Sequence, residues 1–267
     1  MRAARRASHR TRGGLAHQVR VLTGRYLRQS FGDARLFFLG LAQPTVLLLL
    51  FSQVFAGVAV MPGVARYDGY LHFLLPTTLV NIALSAAMSA GYGLLGDGYT
   101  GFAGRLHTMP VTRMSLVLAR TLADAVRLVV QLAAVVLIAV VVLGYRPGTW
   151  SGLLAALGVT VVIGWSMSWL FLAIAAWRPR LEAMQAVTFV VMFPLMFTSS
   201  AYMPVETMPP WLRVVTRFNP VTYSVDATRA LVVGAPAEDA LIMALALTAA
   251  CALIGATATC LRVSRRR

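Results

Sequence analysis

The chain contains no lysine: all 24 of its basic residues are arginine. A P-loop holds the β- and γ-phosphates of a nucleotide with the lysine of the motif G-x-x-x-x-G-K-[ST]. This chain therefore cannot form a P-loop, and it lacks a soluble segment large enough to bind a nucleotide. If its work uses ATP, another chain must bind the ATP and its Mg²⁺, and no cofactor is predicted in this one.

Cysteine is scarce, with two residues in the whole chain, and histidine numbers four. Cys251 and Cys260 lie nine positions apart in one apolar segment, which at about 100° per residue places them on opposite faces of a helix. They cannot bridge within that helix and are interpreted as small apolar packing residues. The histidines are scattered without the spacing of metal ligands, so no metal site is predicted. These are His9, His17, His72 and His107.

Charged residues are also few, at 12% of the chain, against about 25% in a soluble domain. With 58% hydrophobic residues and a mean hydropathy of +0.73, the composition predicts a polytopic membrane protein. A membrane-spanning helix needs about 20 mostly apolar residues. Six stretches qualify, at about 36–58, 71–95, 116–143, 152–176, 183–201 and 239–261. We expect an all-α integral membrane domain over residues 15–267, after a basic disordered tail at 1–14.

The arginines lie mainly on one side of these spans. Seventeen fall on the side that carries both termini and five on the other, where five acidic residues bring the net charge to zero. Because arginine-rich loops stay in the cytoplasm, both termini are predicted to be cytoplasmic, and six spans satisfy the even number that this requires. The net charge of +15 then lies along the inner leaflet, where anionic lipids attract it. A nucleic-acid partner is therefore not predicted.

An apolar stripe precedes the first span. Leu15, Val19, Leu22 and Tyr26 recur at i, i+4, i+7 and i+11, with arginines beside them. This pattern predicts an interfacial helix that lies on the membrane surface and leads into the first span.

Two of the spans are irregular. The third carries Arg120, Asp124 and Arg127 on one helical face near its start. They are interpreted as a solvated, ion-paired helix end, with a proton relay as the alternative. The fifth span is short and contains Pro194, which predicts a kink or a break.

Polar side chains inside the spans have two interpretations. One is interhelical hydrogen bonding; the other is contact with a substrate, which we assign to Gln43, Asn81 and Gln131. Two stripes of small residues also predict close helix contacts, within a subunit or between subunits. They are Ser85, Ser89 and Gly93, and Cys251, Gly255 and Thr259.

The loop after the second span has its own helical pattern. Phe102, Leu106 and Met109 form an apolar face at i, i+4 and i+7, Arg105 lies off that face, and Pro110 ends the short helix. A second helical pattern starts near Arg113 and continues into the third span. A short amphipathic helix beside a membrane covers either lipid headgroups or a protein partner.

The longest external segment, Tyr202–Asp239, is too apolar for a free loop. Pro209 and Pro210 open a helical pattern whose apolar face starts at Trp211. Asn219 and Pro220 then form an N-cap with proline at the first helical position. The second helix is predicted to end at Gly234, with Asp226 and Arg229 paired at i, i+3. Together they predict a short re-entrant hairpin in the outer leaflet.

Two segments resemble the permease subunits of ABC exporters of the antibiotic-efflux type, nearest the daunorubicin/doxorubicin-resistance permeases. The first reads F-x-x-R-L-x-x-x-P-V-x-R…L-A-R-x-L-A-D from Phe102 to Asp124. The second reads S-S-A-x-x-P-V-E-T-M-P-x-W-L…N-P-V-T-Y-x-V-D-A-x-R-A-L from Ser199 to Leu231. The resemblance runs from about Val19 to the C-terminus. One departure is that Asp97 is the only acid in the short stretch Gly96–Thr100 directly before the first segment, where family members often carry more.

The resemblance implies a half-transporter in a bacterial plasma membrane. Two permeases, identical or related, would join two cytosolic ATPase subunits and export a hydrophobic drug or antibiotic-like molecule. The coupling helix seated in the ATPase would comprise Phe102, Arg105, Leu106, Met109, Pro110 and Arg113. The outer hairpin would comprise Pro204, Trp211, Asn219, Pro220, Asp226 and Arg229.

Two other functions stay open, and a third lacks the residues it needs. Export of a lipid or a surface polysaccharide would use the same architecture. A non-transporting membrane scaffold would need no ATPase. An intramembrane enzyme would need paired acids, a metal cluster or an activated nucleophile inside the spans, and the sequence contains none of these.

Overall fold

The computed structural model describes residues 14–32, 34–54, 57, 64, 69–99, 113–177 and 180–265, and all regular structure in these ranges is helical. The α-helices are α1 (Leu15–Gly32), α2 (Ala34–Val54), α3 (Tyr70–Tyr99), α4 (Arg113–Val142), α5 (Trp150–Trp177), α6 (Leu181–Val187), α7 (Phe193–Phe197), α8 (Pro210–Arg217), α9 (Pro220–Val233) and α10 (Glu238–Arg265). The all-α prediction is confirmed.

Five of the helices are long and apolar enough to cross a membrane. Their apolar stretches are Phe37–Val54, Tyr70–Asp97, Met114–Val142, Trp150–Trp177 and Glu238–Arg262. The fifth predicted span, 183–201, corresponds to a shorter apolar helical stretch, Leu181–Phe197. The chain is therefore a multi-pass membrane protein, and the count of six spans stays a prediction.

The stretch from α6 to α7 changes its helical geometry at the place where the sequence predicts a break. Thr188–Met192 forms a π-helical turn directly before α7, which has Pro194 in its first turn. Proline has no backbone N–H to donate, and its ring clashes with the carbonyl four residues earlier. A π-helical turn widens the helix and relieves that clash, so Pro194 explains the irregularity.

The centre of the bundle is the contact between α3 and α5. Their apolar stretches are 72% and 61% buried, whereas those of α2 and α10 are only 11% and 17% buried. Two glycines allow the close approach. A Cβ atom on Gly91 would lie 2.9 Å from the Phe171 carbonyl oxygen, and one on Gly164 would lie 3.0 Å from the Ala83 Cβ. Larger residues at either position would push the two central helices apart.

The bundle has two distinct ends. At the first, which we call the α1 end, Leu22 and Tyr26 pack against Ala119 and Ala123 of α4, and the Thr23 hydroxyl donates to the Ala119 carbonyl at 3.3 Å. The predicted apolar stripe of α1 thus covers protein along this part. At the opposite end, which we call the α9 end, α9 packs against α3, α5 and α10.

The small-residue stripe on α10 makes a contact within the chain. A Cβ atom on Gly255 would lie 2.5 Å from the backbone of Trp169 in α5, so the two helices touch there through their backbones. Thr259 is buried, and its hydroxyl donates to the Gly255 carbonyl of its own helix at 2.8 Å. Of the two predicted interpretations of this stripe, packing within one subunit is the one observed.

Candidate functional site

A polar cleft of about 220 Å³ lies between α2, α3 and α4. Seven of its twelve lining residues are polar or charged, which is unusual for a site among helices of membrane-spanning length. The lining consists of Gly40, Gln43, Pro44, Leu47, Asn81, Ile82, Ser85, Ala86, Ser89, Asp124, Arg127 and Gln131. The three residues assigned to a substrate pathway, Gln43, Asn81 and Gln131, therefore come together here from three helices. Their contact with a substrate stays a prediction.

The cleft continues toward the α9 end through a smaller cavity of about 20 Å³ that shares Pro44, Leu47 and Asn81 with it. There the Asn81 side-chain amide donates to the Tyr202 hydroxyl at 3.3 Å. Thr77, also in its lining, donates to the Ala201 carbonyl at 2.6 Å. A line of polar groups thus runs along the faces of α2, α3 and α4 from Asp124 to Tyr202.

An ionic cluster lies where the cleft meets the α1 end. One Asp97 carboxylate oxygen lies 2.6 Å from Nη1 of Arg120 and accepts from the Tyr26 hydroxyl at 2.9 Å. Arg120 also stacks over the Tyr26 ring at 5.2 Å, and its Nε lies 3.9 Å from Oδ2 of Asp124. Arg127 lines the cleft beside them. We call Tyr26, Asp97, Arg120, Asp124 and Arg127 the α1-end cluster.

The prediction of a solvated helix end for Arg120, Asp124 and Arg127 is wrong. The side chains of Arg120 and Asp124 are only 16% and 14% exposed, because α1 and α3 cover this part of α4. The short partner of Arg120 is Asp97 on α3, not Asp124 on its own helix. Burial, together with the neighbouring Asp97 carboxylate, raises the pKa of Tyr26 above its ordinary value, so Tyr26 stays a hydrogen-bond donor.

Sequence reasoning missed Asp97 as a member of this cluster, although one signal pointed to it. Gly93 lies one turn before Asp97, and a Cβ atom on Gly93 would overlap the Arg120 guanidinium. The predicted stripe Ser85, Ser89 and Gly93 therefore faces the cleft and the Arg120 side chain. A glycine one turn from a lone acid inside a span can indicate space kept for a long basic side chain.

The outer hairpin is centred on Arg229, which is only 4% exposed. Its guanidinium lies 3.2 Å from Asp226 and stacks on the Phe73 ring at 3.9 Å. It also donates to the Ser200 carbonyl at 3.2 Å and to the Thr77 hydroxyl at 3.3 Å. The predicted Asp226–Arg229 pair is present, and it anchors the hairpin to α3.

The first helix of the hairpin, α8, begins at Pro210 as predicted, and the second, α9, begins and ends as predicted. Asn219 accepts from the Val221 N–H at 2.9 Å as the N-cap of α9, and it donates to the Leu195 carbonyl at 2.6 Å. Pro220 occupies the first turn, and Gly234 ends α9 with a left-handed φ of 80°.

One exposed face of the hairpin is apolar. Pro204 is buried ahead of a short 3₁₀ turn, Val205–Thr207, whereas Trp211 on α8 is 67% exposed. The predicted apolar face of α8 therefore points away from the bundle.

The predicted coupling segment falls almost entirely outside the described residues. This applies to Phe102, Arg105, Leu106, Met109 and Pro110, and the side chain of Arg113 is not described. α3 ends at Tyr99, close to the α1-end cluster, and α4 begins at Arg113 on the same end. The two helices that bracket the segment are thus joined by the Asp97–Arg120 ion pair.

Comparison with known families gives a match over most of the chain. Residues 17–233 match the family described as ABC-2 type transporter. The chain belongs to the ABC-2 type transporter family. Members of this family are transport permeases that work with an ATP-binding cassette partner, and the permease is not itself an enzyme.

Two of the similar proteins are named for drug resistance, and a third is named as a nodulation protein. The daunorubicin resistance ABC transporter permease protein of Streptomyces coeruleorubidus is 30% identical over 192 residues, covering 72% of this chain and 66% of the relative. A protein of Mycobacterium tuberculosis named as a doxorubicin resistance ABC transporter permease is 26% identical over 77% of this chain and 73% of its own length. Nodulation protein J of Rhizobium leguminosarum bv. trifolii is 28% identical, covering 74% of each chain.

Proposed function

We propose that this chain is the membrane-spanning permease subunit of an exporter that moves a hydrophobic drug or antibiotic-like molecule out of a bacterial cell. Two such permeases would join two cytosolic ATPase subunits, which would bind and hydrolyse Mg²⁺–ATP. The ABC-2 family match and the relatives named for daunorubicin and doxorubicin resistance support this proposal. The arginine distribution supports an orientation with both termini in the cytoplasm.

The observation that carries the proposal is the polar cleft beside α2. Seven polar side chains converge on this one cleft among apolar helices, and polar groups inside membrane spans are typical of pathways through membranes. Gln43, Asn81 and Gln131 are the residues that we propose to contact the substrate there. The smaller cavity beyond Asn81 would continue the path toward the outer hairpin.

The loose packing of α2 supports a mechanism of alternating access. Only 11% of its apolar stretch is buried, and its packing within the bundle is mainly against α3 and α4. Moving α2 therefore exposes little additional apolar surface. We propose that ATP draws the partner ATPases together, that the coupling segment moves with them, and that α2 and the α6–α7 stretch shift to open the path outward. The free energy for the shift comes from nucleotide binding in the partner.

The α1-end cluster would make α1, α3 and α4 move together at the end of the bundle next to the coupling segment. Asp97 binds Arg120 at 2.6 Å and Tyr26 at 2.9 Å, which joins α1, α3 and α4. These are the helices on both sides of residues 100–112 and the helix that packs on them. A displacement of the coupling segment would therefore reach all three helices together.

Transport can be tested in inside-out membrane vesicles that contain the chain and its partner ATPase. We expect ATP-dependent accumulation of daunorubicin inside the vesicles, which is measured by the quenching of its fluorescence. The accumulation should disappear when the P-loop lysine of the partner is replaced, which serves as the control. Equal accumulation without the permease or without ATP would contradict the proposed function, and failure of the two proteins to copurify would favour a scaffold.

The coupling segment can be tested separately with Arg105→Glu and Leu106→Asp. We expect both variants to insert normally but to lose daunorubicin transport, because each places a negative charge on the proposed ATPase contact. Arg146→Glu, at an exposed position on the α9 end, is the matched charge-reversal control. Normal export together with normal ATPase association in the two test variants would refute the assignment.

A further inference from the structure

The face of α1 that points away from the bundle is basic. The opposite face is covered, because Leu22 and Tyr26 pack on α4. Arg20, Arg25 and Arg28 are exposed, and α1 contains no acidic residue. At about 100° per residue, Arg20 and Arg28 lie on the side of the helix opposite Leu22 and Tyr26. α1 therefore presents positive charge to its surroundings.

The arginines border an open groove of about 480 Å³ along α1. Gly24 lies midway between Arg20 and Arg28, one turn from each, and a Cβ atom on it would meet no other atom within 4 Å. Arg20 and Arg28 are about 12 Å apart along the helix axis, so their long side chains can close on a group placed over Gly24. The groove is lined by His17, Arg20, Val21, Gly24, Arg25 and Arg28.

Neither Arg20 nor Arg28 pairs with an acid in the part of the chain that the structure describes. The ion pairs within 4.0 Å there are Arg120–Asp97, Arg120–Asp124 and Arg229–Asp226. A guanidinium is a planar fork of N–H donors that matches the oxygens of a phosphate. Two such forks on either side of a gap fit one phosphate group. The groove is thus suited to an anion with several oxygens.

The same side of α1 also carries apolar side chains. Val21 is 58% exposed and Phe31 is 38% exposed. α1 leads directly into α2, whose apolar stretch begins at Phe37, so the groove lies next to the start of a membrane span. A free anion would leave Val21 and Phe31 in water, whereas a phospholipid covers both with its acyl chains. Arginines and apolar side chains on one exposed helix face are typical of contact with anionic lipids.

We propose that this groove binds one anionic phospholipid of the leaflet at the α1 end, with its phosphate over Gly24 between Arg20 and Arg28 and its acyl chains beside Val21 and Phe31. The lipid is a bound partner of the permease, so the proposal goes beyond the proposed export function. It also differs from a general attraction of arginine-rich segments to the leaflet, because it assigns one phosphate to one groove.

The site can be tested by photolabelling, without ATP or a transport assay. The full chain is placed in phosphatidylcholine nanodiscs with a small fraction of phosphatidylglycerol that carries a diazirine close to its glycerol backbone. We expect crosslinks in residues 17–31. Unlabelled phosphatidylglycerol should compete, whereas glycerol 3-phosphate and inorganic phosphate should not compete at about a hundredfold excess, because they lack the acyl chains that add to the affinity.

A charge-removing double variant tests the arginines. Arg20→Gln with Arg28→Gln should raise the phosphatidylglycerol concentration for half-maximal labelling at least about tenfold, since each arginine near an anionic lipid contributes about fivefold. Arg146→Gln with Arg217→Gln removes the same charge from exposed positions at the α9 end. This matched control should leave the labelling of α1 unchanged.

A second variant tests the groove without changing its charge. Gly24→Leu fills the gap between the two arginines and should weaken labelling about fivefold, because both guanidinium groups can no longer reach one phosphate. Gly158→Leu, at an exposed glycine of α5 that also has no other atom within 4 Å of its Cβ position, is the control. The apparent melting temperature of each variant reports whether it still folds.

Several outcomes would overturn the proposal. They are crosslinks outside α1, equal labelling in the wild type and the Arg20→Gln, Arg28→Gln variant, unchanged labelling in Gly24→Leu, or competition by glycerol 3-phosphate. Loss of copurification with the partner ATPase in the double variant, with lipid labelling unchanged, would assign the groove to the ATPase instead. Selective labelling of α1 in a chain that does not export daunorubicin would leave this proposal standing and refute the proposed drug-export function.

Discussion

Each end of the bundle buries an arginine beside an aspartate, but the two arginines have different surroundings. Arg229 at the α9 end is 4% exposed and bonds to Asp226, the Ser200 carbonyl and the Thr77 hydroxyl while stacking on Phe73. At the α1 end, Arg120 has one short ion pair, with Asp97, and its Nε is buried without a hydrogen bond. The neighbouring Asp124 and Arg127 also keep unpartnered atoms.

We interpret the difference as that between a structural anchor and the region proposed for substrate passage and coupling. Partners on three sides hold Arg229 in one geometry, which suits an element that fixes the outer hairpin on α3. The α1-end cluster retains unused hydrogen-bonding capacity, and it lies beside both the cleft and the helices that bracket the coupling segment. Changes at the α9 end should therefore affect mainly stability, and changes at the α1 end should affect mainly function.

The largest loss of stability is expected from Arg229→Leu. It removes the donors to the buried Phe73 and Ser200 carbonyls and to the Thr77 hydroxyl, which should cost about 3 kcal/mol, whereas Asp226, with a side chain 38% exposed, stays in contact with solvent. The measurement is thermal unfolding of the purified chain in detergent. Arg217→Leu, at an exposed position on α8, is the control and should change the free energy of unfolding by less than about 0.5 kcal/mol. Equal effects of the two substitutions would show that Arg229 is no anchor.

Asp97→Asn should have an intermediate effect on stability and a large one on coupling. It removes the charge that pairs with Arg120 at 2.6 Å, at a cost of about 2 kcal/mol. Because Asp97 also joins α1 to α3, we expect ATP hydrolysis by the complex to continue while daunorubicin transport falls strongly. Asp239→Asn, an exposed acid in the first turn of α10, is the control. Unchanged transport in Asp97→Asn would contradict the claim that changes at the α1 end affect mainly function.

Tyr26→Phe should have the smallest effect. It removes only the hydrogen bond to Asp97 and keeps the ring packed against Arg120, so the expected cost is about 0.5–1.5 kcal/mol. The same unfolding measurement applies. A cost as large as that of Asp97→Asn would mean that the hydroxyl, rather than the ion pair with Arg120, holds the α1 end together.

Features fixed by neighbouring residues could be predicted from the sequence. The Asn219 cap, the Gly234 ending and the Asp226–Arg229 pair depend on positions within a few residues of each other, and all three are observed. The irregularity beside Pro194 is also local, because it follows from a missing N–H and a ring clash.

Contacts between helices could not be predicted in the same way. Arg229 binds the Phe73 carbonyl across 156 positions, and Arg120 binds Asp97 across 23 positions that include the predicted coupling segment. Helical periodicity shows which residues share a face and says nothing about what covers that face. For this reason the α1 stripe predicts a helix on the membrane surface, although Leu22 and Tyr26 pack on α4.

The most direct test of the account is ATP hydrolysis by the purified complex of this chain with its partner ATPase, measured with and without daunorubicin. If binding of the drug to the permease accelerates the partner ATPase, the drug should stimulate ATP hydrolysis severalfold and saturably. Leu106→Asp should abolish the stimulation while basal hydrolysis by the partner remains. Hydrolysis that is indifferent to the drug in the wild-type complex, at concentrations where the drug binds the permease, would contradict the account.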